Sequence, residues 1–105
     1  MLTIQVIRSP SKGTIRLLSR KIHDEQVKAI LQKNMADAVG LIQGPLAEMI
    51  VAGNIAEKAA NVEIAELMGT CPQHITVIGI FGETSAVLEA TKAVRDWADR
   101  GEKSI

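Results

Sequence analysis

Ile55-Ala56-Glu57-Lys58-Ala59-Ala60-Asn61-Val62-Glu63-Ile64 is the stretch on which the reading of the fold turns. Its first half is rich in small residues and continues an apolar face that begins upstream with Leu46, Met49, Ile50 and Gly53 and runs on through Ile55, Ala56 and Ala60, the spacing of an amphipathic helix. Asn61 stops that helix, and Val62 to Met68 follows as a strand.

Working outward, Ala36 to Gln43 reads as a strand, and Gly44-Pro45 opens the helix, proline suiting a first helical position. Downstream, a loop Gly69-Thr70-Cys71-Pro72-Gln73 precedes a strand from His74 to Phe81. Gly82-Glu83-Thr84 then turns into a last helix ending near Ala98, with Val87, Ala90, Val94 and Trp97 on one side and a frayed tail over 99–105. Toward the N-terminus, Met1 to Arg8 carries the β-branched residues of a strand and breaks at Ser9-Pro10-Ser11-Lys12-Gly13. Thr14 to Ser19 reads as a second short strand, and Asp24 caps a helix bearing Val27, Ile30 and Leu31 that stops near Asn34. The predicted order is β-β-α-β-α-β-β-α, an α+β domain with helices on one mostly antiparallel sheet.

A chain of 105 residues is one domain, and a hydrophobic fraction of 47% is ample for its core. Phe81 and Trp97 are the only aromatics, so aliphatic side chains must build that core. A domain this small buries only about 60–70% of the surface of its unfolded chain, and self-association is a natural source of further burial. Zero formal net charge offers no field to attract nucleic acid or an anionic membrane. No apolar run approaches a membrane span, no secretory signal opens the chain, and a single cysteine makes no disulfide framework; these features predict a cytoplasmic protein.

The glycines at 40, 44, 53, 79 and 82 lack the spacing of a phosphate-binding fingerprint. Glu48, Glu57, Glu63 and Glu66 have no accompanying Ser/His/Asp set, so no catalytic constellation can be named and no enzyme is expected. His23 beside Asp24, and Arg16, Arg20 and Arg95, read as solvated surface. Cys71 is the one residue of unusual chemistry. Buried cysteines are commonly small hydrophobes, but Gly69 and Pro72 place this one in a loop. With His74 it forms Cys-x-x-His, half of a Cys₂His₂ zinc set if two chains combine.

The segments Ala38-Val39-Gly40-Leu41-Ile42, Ile55 through Ile64, and Ile75-Thr76-Val77-Ile78-Gly79-Ile80-Phe81-Gly82-Glu83-Thr84-Ser85-Ala86-Val87 resemble the bacterial microcompartment shell domain (BMC domain). Because a strand and a helix over 14–34 precede the shell-domain core at 36–98, and no strand follows the last helix, the chain resembles the circularly permuted members. Residues 1–8 would then be an additional N-terminal strand, which in some relatives joins a small barrel over the ring. The resemblance implies a homohexamer with a central pore, lodged in a microcompartment shell beside other shell proteins. It places Gly69, Thr70, Cys71, Pro72 and Gln73 on the loop lining the pore, and Lys58 at the hexamer edge, packed against its copy. Read without the resemblance, Lys58 is an ordinary exposed lysine near a helix C-terminus, where its charge suits the dipole.

The Gly-x-Cys-Pro-Gln loop is similar to that of shell subunits from glycyl-radical propanediol compartments, which implies an iron–sulfur cluster, of 4Fe-4S type, held by Cys71 and shared between subunits. Such clusters take about four thiolates, and a closed ring supplies several copies of one loop around one axis. Two other readings remain open at this level. One is a metal-free metabolite pore lined by Thr70 and Gln73; the other is a ligand-binding regulatory module, since ferredoxin-like domains share a β-α-β-β-α order.

Overall fold

The computed structural model describes residues 2–33, 36–68 and 75–101. Its elements run β1 (Thr3–Arg8), α1 (Lys12–Lys21), α2 (Glu25–Gln32), β2 (Ala38–Pro45), α3 (Leu46–Ala59), β3 (Glu63–Leu67), β4 (Ile75–Gly82) and α4 (Thr84–Asp99). The strands form one antiparallel sheet in the order β1-β2-β4-β3. This is the expected α+β domain, with two adjustments near its N-terminus.

The first concerns Thr14 to Ser19, which is not a strand but the middle of α1. Ser11 caps that helix, its side chain accepting from the Thr14 amide at 3.1 Å. Helical winding brings Leu18 and Ile22 onto one buried face, with Ile15 packed against the same cluster. Alternation would have pointed Leu18 away from Ile15, so tertiary burial at a period of 3.6 prevails over local β propensity.

The second concerns β1, the segment set apart as additional. It is the edge strand of the main sheet, paired with β2 from Thr3↔Gln43 to Arg8↔Ala38. The N-terminal part therefore contributes one strand and two helices. Asp24 performs as its sequence position suggested: its carboxylate accepts from the Gln26 and Val27 amides at 3.0 and 3.2 Å, satisfying two donors that the first turn leaves free.

Pleating sorts the sheet residues onto two faces, and each face has its own core. Ile42, Ile78 and Ile80 meet Met49, Ala52 and Ala56 of α3 and Val87, Ala90, Val94 and Trp97 of α4. Val39, Phe81 and Ala65 meet Leu18, Ile22, Val27 and Leu31 of α1 and α2. Close packing favours glycine at several positions, two of them on the central strands. A Cβ at Gly40 would lie 2.8 Å from the Thr91 Cγ2 of α4, and a Cβ at Gly79 would lie 2.5 Å from the Phe81 ring. Thr91 is itself buried, and its hydroxyl donates back to the Val87 carbonyl at 2.9 Å, which leaves its methyl to face β2. The domain is a slab of 37 × 32 × 19 Å.

Candidate functional site: the two ends of the sheet

Antiparallel pairing fixes which residues share each end of the slab. At one end Pro45 pairs with Ile75 and Leu67 with Val77. At the other Ala38 pairs with Gly82, Glu63 with Phe81, and Arg8 with Ala38. β3 runs toward the first end and β4 returns from it, so the connection over residues 69–74 lies between Met68 and Ile75. Gly69, Thr70, Cys71, Pro72, Gln73 and His74, the expected pore loop with its histidine, lie outside the described residues. Their flanks are described: Met68 and Ile75 are both 45% exposed, and the Met68 amide donates to the Lys21 carbonyl at 2.7 Å, tying the end of β3 to the end of α1.

Lys58 is at the far end. α3 starts at Leu46, directly after Pro45, and runs back along the sheet; a Cβ built at Gly82 would come within 3.4 Å of the Asn61 carbonyl that follows the helix. Lys58 occupies the last turn and is exposed. Met68 and Ile75, which flank the expected pore loop, therefore lie at the end of the sheet opposite Lys58.

α3 also departs from its simple amphipathic reading. Met49, Ala52, Gly53 and Ala56 are buried, whereas Leu46 and Ile50 are 52% and 67% exposed. With Gly53, Ile64, Thr76 and Ile78 these two line a groove of about 440 Å³ between α3 and the β3–β4 pair, rimmed by Asp24 and Glu66. The apolar face read from the sequence includes Leu46 and Ile50, because periodicity identifies such a face without saying what covers it. Nearby, one carboxylate oxygen of Glu48 is buried without a hydrogen-bond partner among the described residues.

Among the described residues no three His, Cys, Asp or Glu side chains converge on a possible metal position. The chain has one cysteine, so its donor set fits an iron–sulfur cluster only if several copies pool their thiolates. No helix among the described residues is long and apolar enough to cross a membrane.

The chain is thus an α+β slab with Met68 and Ile75 at one end of its sheet and the exposed Lys58 at the other. The profile of the BMC domain matches residues 38–105, beginning at the first residue of β2, and the chain belongs to the BMC-domain family of microcompartment shell proteins. β1, α1 and α2 precede the matched segment, the circularly permuted order. The ligand-free GrpU microcompartment shell protein from Pectobacterium wasabiae is 32% identical with a TM-score of 0.67, the match covering 90% of this chain and 100% of that one. Its counterpart from Clostridiales bacterium 1_7_47FAA is 32% identical with a TM-score of 0.68, covering 94% of each chain. These matches take in most of the N-terminal elements that lie outside the family profile. The fused permuted hexameric shell protein of the RMM microcompartment shares the fold at 19% identity and a TM-score of 0.67, over 92% of this chain and 45% of that one. No curated protein matches the chain.

Proposed function

We propose that this protein is a structural tile of a cytoplasmic bacterial microcompartment shell, without catalysis of its own, that closes into a homohexameric ring. In this reading residues 69–73 of each copy surround the central pore, and Cys71 thiolates from several copies hold an iron–sulfur cluster. The observation that carries the ring is the separation, along one sheet, of the end bearing Met68 and Ile75 from Lys58. A ring built on the loop end leaves Lys58 at the perimeter, where its alkyl stem supplies apolar area for contact with the next tile. The hexameric state stated for the fused permuted shell protein is in keeping with such closure.

The cluster rests on Cys71 being the only thiol and on its Gly-x-Cys-Pro-Gln setting. Six-fold closure multiplies one thiolate into a set large enough for the about four ligands a cluster takes. Pro72 removes an amide donor and biases Cys71 away from helical geometry. A bound cluster would supply one-electron transfer at the pore.

Anaerobic purification tests the reading. The ring-sized fraction is expected to be brown, with iron and acid-labile sulfide that disappear in Cys71→Ser. A colourless ring in both proteins would overturn the cluster and leave a metabolite pore, while zinc in place of iron would assign the metal to Cys71 and His74.

A further inference from the structure

A formal net charge of zero conceals an uneven distribution. Residues 1–33 carry seven of the twelve Lys and Arg but only Asp24 and Glu25 of the acids, leaving +5, and the rest of the chain carries the balancing −5. Packing turns this into a difference between faces. α1 and α2 cover the side of the sheet that bears Val39 and Phe81, whereas α3 and α4 cover the side that bears Ile42 and Ile80. α3 and α4 each carry one more acid than base. α1 carries Lys12, Arg16, Arg20 and Lys21 and no acid.

All four cations of α1 are exposed. Helical winding sets Lys12, Arg16 and Arg20 in one row, successive members about 6 Å apart along the axis. Leu18, Ser19 and Ile22 turn the other way and are buried. Leu17 belongs to the outer face, between Arg20 and Lys21 on the helical wheel, and is 64% exposed. The single chain gains nothing from this arrangement. Like charges at i,i+4 spacing oppose the helix, and Lys12 in the first turn opposes its dipole. None of the four pairs with a carboxylate: the one ion pair among the described residues is Lys92–Asp96. Asp24, which follows the helix, has its carboxylate on the Gln26 and Val27 amides.

We propose that the outer face of α1 is a docking surface for an acidic amphipathic segment of another protein, its carboxylates meeting Arg16, Arg20 and the lysines beside them and its apolar side resting on Leu17. Guanidinium groups take carboxylates in paired hydrogen bonds, and an acidic helix repeats its carboxylates at the same four-residue spacing. Leu17 favours such a segment over a phosphate polymer, whose backbone has no apolar side to place there. A chain neutral as a whole also lacks the long-range field that gathers polyanions. The surface is independent of the pore loop and of Lys58.

Fluorescence anisotropy tests this with a short labelled amphipathic peptide that carries glutamates at i,i+4 spacing beside a leucine stripe. The protein is expected to bind it at low salt, to bind it less as salt is raised, and to ignore the counterpart with lysine in place of glutamate. Arg16→Glu/Arg20→Glu is expected to weaken binding by about tenfold or more, and Leu17→Ser by about threefold or more, with circular dichroism and sedimentation unchanged in both variants. No binding of the acidic peptide, or binding that both variants retain in full, would overturn the proposal. So would tighter binding of a single-stranded oligonucleotide or of phosphatidylserine vesicles that is indifferent to Leu17→Ser; that result would make the face a site for phosphates. Each of these outcomes leaves the ring and its cluster to their own tests.

Discussion

Gly79→Ala is a one-methyl change whose cost depends on a single neighbour. Gly79 and Phe81 are two residues apart on β4 and point to the same face, and the phenyl ring lies across the space that a side chain at 79 would fill. A Cβ there would stand 2.5 Å from the ring's Cζ and 2.8 Å from a Cε. Phe81 is 1% exposed and packs among the residues of α1 and α2, so the ring cannot swing into solvent. Overpacking of this kind costs about 1–3 kcal/mol. Opposing it, removing a strand glycine gains about 0.5–1 kcal/mol. The net expectation is a loss of up to about 2.5 kcal/mol, which for a domain of this size lowers Tm by up to roughly 20 °C.

The decisive comparison is a double-mutant cycle with Phe81→Leu. Shortening the ring destabilises by itself, but it vacates the space over position 79. In that background Gly79→Ala should be neutral or slightly stabilising, a coupling of about 1–3 kcal/mol. Urea titrations at one fixed protein concentration would measure it, since assembly makes apparent stability concentration-dependent. Equal penalties for Gly79→Ala in both backgrounds would refute the account of the Phe81 contact.

Asp24→Ala removes an acceptor shared by two first-turn amides and should cost about 1 kcal/mol by denaturant titration. Lys92→Ala breaks an exposed i,i+4 pair with Asp96 at 3.2 Å, the two side chains being 75% and 49% exposed; its midpoint should move by less than about 0.5 kcal/mol. Gly40→Val places branches against the Thr91 methyl, 2.8 Å from the first added carbon, and should destabilise by about 1–3 kcal/mol in the same titration. Lys58→Asp should leave ring mass unchanged in sedimentation while abolishing sheets of tiles seen by electron microscopy.

The middle and C-terminal elements were legible because each carries several independent signals. α4 combines Val87, Ala90, Val94 and Trp97 at helical spacing with a glycine turn ahead of it, and all four side chains are buried. Asp24 sits where a cap must be, and it caps. Thr14 to Ser19 was misread because Ile15, Arg16, Leu17 and Leu18 satisfy both periods over so short a run, and Gly13 resembles a turn although it lies in the first helical turn. Ser11 was the available signal for a helix start. The far side of β1 was not legible, since strand propensity says nothing of which strand will be the partner. Leu46 and Ile50 show the same limit on α3: their pattern predicts burial, and the single chain does not supply it.

Native mass spectrometry of anaerobically prepared protein tests the central claim most directly, because one spectrum reports both the number of chains and anything they hold. The account predicts six chains as the dominant species, with an added mass of iron and sulfide that is absent from Cys71→Ser. A dominant single chain or dimer would contradict it.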